Sequence, residues 1–186
     1  MGLFRVLRKI IVQENLALYL IRLESIKKTA DMLALPVAAD GTNLGFVSSA
    51  FGTGPVLLSS PGNSDTIAEA ARFTYPLPIE YVDGGLISVQ IIGKRTTGAG
   101  FNVAGSLTAY ARSSDKDGTM SAELAGSSVD ADTANWTTHT FPVTPAGLVS
   151  GDLLDVYFSF CGADSGPPSG SIVSFVIVGM LLSVKG

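Results

Sequence analysis

The chain has 186 residues and a mass of 19.2 kDa, a length that suits one domain with an arm or two very small domains. Charged residues are 15% and apolar residues 46% of the chain, which is enough to bury a core and unlike a disordered tail. The net charge of −4 argues against duplex nucleic acid as the main partner, since a phosphate footprint needs a basic face. The single Cys excludes an intrachain disulfide and a Cys-built zinc site, and the single His excludes a multi-histidine metal centre.

Charge is unevenly spread. Residues 1–35 carry six basic side chains (Arg5, Arg8, Lys9, Arg22, Lys27 and Lys28) against three acidic ones, whereas residues 36–186 carry six basic and thirteen acidic. A basic segment on an acidic body suits docking on something negative, and equally suits a solvated helical face. After Arg8-Lys9 the apolar run Ile10-Ile11-Val12 is cut by Gln13-Glu14-Asn15, too early for an export signal. The apolar run Ile172 to Val184, 13 residues long, falls short of the roughly 20 that a membrane helix requires. These features lead to the expectation of a soluble protein with no membrane partner.

In chain order, Leu16, Tyr19, Leu20, Leu23, Ile26, Ala30 and Leu33 recur at three- and four-residue steps, and Glu24 and Lys28 form an i,i+4 pair. This spacing predicts a helix over about 14–35, closed by Pro36. The run Leu16 to Leu23 also reads as a strand, because apolar residues nearly fill it. Residues 36–64 are rich in Gly, Ser, Ala and Thr, with short apolar patches at Phe46-Val47 and Val56-Leu57-Leu58. They read as an extended segment with one or two short strands. Residues 1–64 are therefore expected to form an N-terminal arm and 65–186 a β-sandwich domain.

From Thr66 onward the pattern is strand after strand: Thr66–Tyr75, Leu86–Lys94, Phe101–Arg112, Thr119–Leu124, Trp136–Val143, Leu153–Cys161 and Ser171–Val184. Alternation is plain in Ile87-Ser88-Val89-Gln90-Ile91, in Val103, Gly105, Leu107 and Ala109, and in Leu154, Val156, Phe158 and Phe160. Turn signals stand between the runs, among them Asp83-Gly84-Gly85, Gly98-Ala99-Gly100 and Ser150-Gly151-Asp152. Short strands about a dozen residues apart, without helices between them, specify an all-β, jelly-roll-like β-sandwich or a barrel. No repeat of about 20–50 residues is visible, which excludes a solenoid or propeller.

Little in the chain points to catalysis. Ser114-Asp115-Lys116-Asp117-Gly118 could open a calcium loop, but Glu123 falls too early for the closing ligand, and a hairpin turn is the simpler reading. His139 lies in Trp136-Thr137-Thr138-His139-Thr140-Phe141, a strand pattern in which it is expected to be a hydrogen-bonded structural residue. No G-x-S-x-G elbow accompanies it. Cys161 reads as a small buried hydrophobe, and the Gly-rich segments lack a Walker lysine. The expectation is a non-enzymatic protein with no catalytic, cofactor-binding or metal residues and no cofactor. If the protein binds sugar, the stacking platform would be Trp136, Tyr110 or Tyr157, although aromatic residues more often fill a core or an interface.

The run Tyr75-Pro76-Leu77-Pro78-Ile79-Glu80-Tyr81-Val82-Asp83-Gly84-Gly85, the strand after it, and the step from Trp136 to Val156 resemble the jelly-roll structural proteins of tailed-bacteriophage virions, in particular capsid decoration (cement) proteins. The resemblance spans about residues 65–186 and implies a homotrimer on the capsid surface. It also implies the major capsid protein as partner, and the basic residues Arg5, Arg8, Lys9, Arg22, Lys27 and Lys28 as the arm that grips the shell. The same sandwich pattern is similar to carbohydrate-binding modules of tail fibres and adhesins, for which fold alone fixes no function.

Overall fold

A computed structural model describes residues 16–48, 54–59, 67–95, 101–112, 121, 124–131, 133–145, 147–164 and 175–185. The strands are β1 (Leu16–Ile21), β2 (Gly45–Val47), β3 (Val56–Leu58), β4 (Ile67–Pro76), β5 (Ile87–Arg95), β6 (Phe101–Arg112), β7 (Ala125–Asp130), β8 (Thr137–Val143), β9 (Leu153–Asp164) and β10 (Phe175–Lys185). All their ladders are antiparallel. One sheet runs β2-β3-β10-β5-β8, with β1 also paired to β10, and the other runs β4-β9-β6-β7. From β3 onward this is the eight-strand jelly roll: β3-β10-β5-β8 faces β4-β9-β6-β7, and each chain step from β3 to β6 and from β7 to β10 crosses between the sheets. The chain is an all-β, jelly-roll-like sandwich.

Period two builds the core. Ile87, Val89 and Ile91 on β5 point inward with Phe141 and Val143 on β8 and with Ile177, Leu182 and Val184 on β10. From the opposite sheet come Ala71 and Phe73, Leu107 and Ala109, and Leu154, Val156, Phe158 and Phe160. Each large side chain so buried contributes about 1.5–3 kcal/mol. An aromatic series crosses between the sheets: Phe73 meets Phe158, Phe158 meets Phe160, and Phe160 stacks on Phe175 at 4.1 Å and 15°. Gly93 makes room for Phe175, since a Cβ there would lie 2.5 Å from the ring atoms Cε1 and Cζ.

Three expectations are corrected. The helix expected over about 14–35 is absent from the described residues: Leu16–Ile21 is a strand on β10, Leu23–Ser25 is a single 3-10 turn, and Arg22 and Ile26 on either side of it are extended. The free edge of β10 offers a backbone partner from Met180 to Lys185, and that ladder outweighs weak helical spacing over a short segment. The stretch assigned to a separate arm instead supplies β1, β2 and β3 to a sheet of the sandwich, so the structural body begins by Leu16. Of the strand expected at Thr119–Leu124 only Ser121 and Leu124 are among the described residues, and neither is in a strand; the described partner of β6 on this side is Ala125–Asp130, where Gly126, Ser127 and Ser128 pair with Thr108, Leu107 and Ser106.

His139 differs from expectation as well. It is a buried β8 residue as expected, edge-on to Phe175 at 5.7 Å. Its Nε2, however, has no hydrogen-bond partner among the described residues. Burial lowers its pKa from the ordinary value, opposed in smaller part by the charge of Asp130. The Asp115-Lys116-Asp117-Gly118 turn lies outside the described residues.

Candidate functional site

Strands β4, β9 and β6 turn their polar residues to the outer face of the four-stranded sheet. Strict alternation along β9 sends Leu154, Val156 and Phe158 inward, so Asp155 and Tyr157 face out. On β6 the inward residues are Leu107 and Ala109, leaving Thr108 and Tyr110 outside. Register then aligns Arg72, Tyr157 and Thr108 in one cross-strand row and Thr74, Asp155 and Tyr110 in the next. Residues in such rows stand about 4.5–5.5 Å apart at Cβ.

A concave site of about 560 Å³ lies over these rows, lined by Arg72, Thr108, Tyr110, Asp155 and Tyr157 together with Thr29 and Ser121. That volume lies within the range of small-molecule sites. One wall comes from the segment that precedes β2. Lys27 exchanges backbone hydrogen bonds with Arg72 at 2.8 and 3.0 Å, which hooks this segment onto the outer edge of β4. The turn is closed by Lys28 N–H donating to the Leu33 carbonyl and by Leu33 N–H donating to Asp31 Oδ1. Met32 sits in the left-handed region at φ 58°, and Thr29 is carried to the site. Ser121 is fixed from the other side, its Oγ accepting from Ala111 N–H at 2.9 Å and its own N–H donating to the Ala111 carbonyl.

The floor is charged but balanced. Arg72 donates through Nε to Asp155 Oδ1 at 2.6 Å and through a terminal nitrogen to Oδ2, a bidentate pair. Hydrogen bonding to Asp155 raises the Arg72 pKa above its ordinary value, against a smaller opposing effect of burial. The site therefore offers fixed donors and acceptors without a net charge that would select for or against anions. Tyr157 is 40% exposed and presents a ring beside that pair.

Of the three aromatic residues read from the sequence as a platform, Tyr110 and Tyr157 are brought together in this site and Trp136 is not. Trp136 precedes β8 of the other sheet, is 50% exposed, and has Lys94 Nζ 4.6 Å from its ring centroid, a cation–π contact that occupies one face. Of the basic residues, Arg22 is exposed just beyond β1, and Lys27 and Lys28 are half-buried near the outer edge of β4. Arg5, Arg8 and Lys9 lie outside the described residues. Sequence reading missed Thr29, Arg72, Thr108, Ser121 and Asp155. The alternation of β9 and β6 already put Asp155 and Thr108 on the faces of Tyr157 and Tyr110, but nothing local announced that these strands are neighbours or that Arg72 sits across from them. Among the described residues there is no cluster of three or more His, Cys, Asp or Glu able to hold a metal, and no helix long and apolar enough to cross a membrane.

No protein-family model matches the chain, and no curated protein matches it significantly. Among solved structures, it is similar to a family 16 carbohydrate-binding module, with 15% identity, a TM-score of 0.42, and coverage of 79% of this chain and 88% of that one. It is also similar to the CBM22-2 xylan-binding domain of Paenibacillus barcinonensis Xyn10C, with 10% identity, a TM-score of 0.46, and coverage of 88% and 94%. A third likeness is to the VP2 subviral particle of infectious bursal disease virus, with 16% identity, a TM-score of 0.41, and coverage of 92% of this chain and 33% of that one. These are likenesses of architecture, and nothing those proteins bind or build passes to this chain through them.

Proposed function

We propose that the protein is a non-catalytic carbohydrate-binding β-sandwich whose ligand surface is the concave outer face of β4, β9 and β6. The observation that carries this reading is the convergence of Tyr110 and Tyr157 with the bidentate Arg72–Asp155 pair and the hydroxyls of Thr29, Thr108 and Ser121 in one open site. A sugar ring has an apolar C–H face and a rim of hydroxyls. A tyrosine ring matches the first, and ionic groups held rigidly in a pair match the second, because each keeps further hydrogen-bonding capacity. A polar site whose charges balance fits a neutral glycan. The test is calorimetric titration of a panel of neutral oligosaccharides and polysaccharides into the full chain. Saturable binding that Tyr157→Ala weakens about tenfold or more supports the reading. Absence of binding across the panel, or binding indifferent to Tyr157→Ala and Tyr110→Ala, overturns it.

A second reading is a virion structural protein that stabilises a phage shell by contact with its major capsid protein, synthesised in the host cytoplasm and resident on the capsid surface. One observation favours it: exposed leucines on β1 directly follow the basic N-terminal segment, and such a margin suits multivalent assembly. Co-sedimentation of the full chain with shells that lack it, and loss of that binding on replacing Arg22, Lys27 and Lys28 by Glu, would favour this reading over the first.

A further inference from the structure

The six-stranded sheet ends in a strand that lacks the usual protections of an edge. Strand β1 pairs with β10 on one side, and no other strand among the described residues pairs with it. Its sequence, Leu-Ala-Leu-Tyr-Leu-Ile, contains no charge, no proline and no bulge, the devices by which natural sheets block edge pairing. Ala17, Tyr19 and Ile21 face the core, whereas Leu16, Leu18 and Leu20 stand outside at 49%, 58% and 65% exposure. The apolar margin continues beyond the strand. Val178 lines a groove with Leu20 at one end, and Leu86 lines another with Leu16 at the other end.

We propose that this margin is the interface of a twofold dimer, in which β1 of one copy pairs antiparallel with β1 of a second copy and joins the two six-stranded sheets into one. An open ladder edge specifies an extended strand as its occupant, because only a backbone satisfies the row of unpaired N–H and C=O groups. The side chains specify which strand. A register centred on Leu18 places Leu16 against Leu20 of the second copy, so all the outward leucines fall on one face and shield each other, while both copies keep Ala17 and Tyr19 turned to their own cores. Charge does not oppose that register: Leu16–Ile21 carries no acidic or basic side chain, so two copies set no like charges against each other along the strand. A like-with-like contact of this kind closes on itself at two copies, unlike the trimer that the virion resemblance implies.

The proposal is independent of the glycan site, which lies on the other sheet. It is tested by light scattering on the full chain. The expected result is a native mass twice 19.2 kDa, reduced to a monomer by Leu18→Lys, which sets two lysines against each other at the twofold. Because Leu18 is exposed, the variant is expected to remain folded by circular dichroism. A second set of variants keeps the test informative if it does not. Leu20→Lys should raise the dimer dissociation constant about tenfold or more, and the combined Leu16→Glu and Leu20→Lys variant, which sets unlike charges opposite each other in this register, should restore it. A monomer at the highest concentration reached, a trimer, or a dimer indifferent to both Leu18→Lys and Leu20→Lys overturns the proposal.

Discussion

Arg72 and Asp155 are diagonal neighbours: Asp155 stands two residues before Tyr157, the residue directly across from Arg72, and the guanidinium reaches along the sheet to close a bidentate pair with the carboxylate. The pair ties β4 to β9 on the outer face and sets the polar floor of the proposed site. Asp155 is nearly buried, and Arg72 is about two-thirds covered. Replacement of Asp155 by Ala should therefore cost about 1.5–3 kcal/mol, the usual net worth of hydrogen bonds to a charged group, measured by urea unfolding with an unchanged m-value. The same variant should weaken glycan binding, because Arg72 loses the contact that orients it.

The separation of the aromatic residues makes a contrast that sequence alone could not. Tyr157→Ala should reduce glycan affinity about tenfold or more, whereas Trp136→Ala should leave it within about twofold. Trp136 lies just before β8 of the other sheet with Lys94 against its ring. Titration of both variants with the same ligand checks the pair of outcomes. Equal loss in both would place the ligand elsewhere.

His139 gives the sandwich a pH dependence of definite sign. Burial holds its folded pKa below the ordinary 6.5, while the unfolded chain takes up a proton near that value. Between the two pKa values the unfolded state binds more protons, so stability rises with pH there. The contribution is complete above about pH 6.5 and is lost as pH falls through that value to the folded pKa. Thermal midpoints between pH 5 and 8 should fall on the acid side in the native chain. In His139→Leu that part of the slope should disappear, since leucine leaves no unpaired Nε2 against Phe175.

Gly93 is required by packing and not by backbone conformation. A methyl group there meets the Phe175 ring at 2.5 Å and the Val176 carbonyl oxygen at 2.8 Å, and Phe175 is itself held against Phe160. Gly93→Ala should destabilise by about 1–3 kcal/mol through overpacking, read from chemical denaturation. An unchanged midpoint would mean that Phe175 can move aside.

The amino-acid sequence by itself determined the all-β class, most strand positions from Ile67 onward and the inward faces of β5, β6 and β9. These follow from a two-residue alternation that each strand carries locally. It pointed to a helix over Leu16–Ile21, where the chain forms a strand, because a short apolar run satisfies helical and strand spacing alike. The free edge of β10 decided that segment, and no local pattern contains that edge. The same limit applied to the site. Tyr110 and Tyr157 could be named as aromatic candidates, and Asp155 shares a face with Tyr157 by alternation. The register of β9 between β4 and β6 alone brought Arg72, Asp155 and both tyrosines together, while Trp136 stands just before β8 of the opposite sheet. Strand pairing is a contact between residues dozens of positions apart, chosen by the packing of the whole core, so only the tertiary structure could decide it.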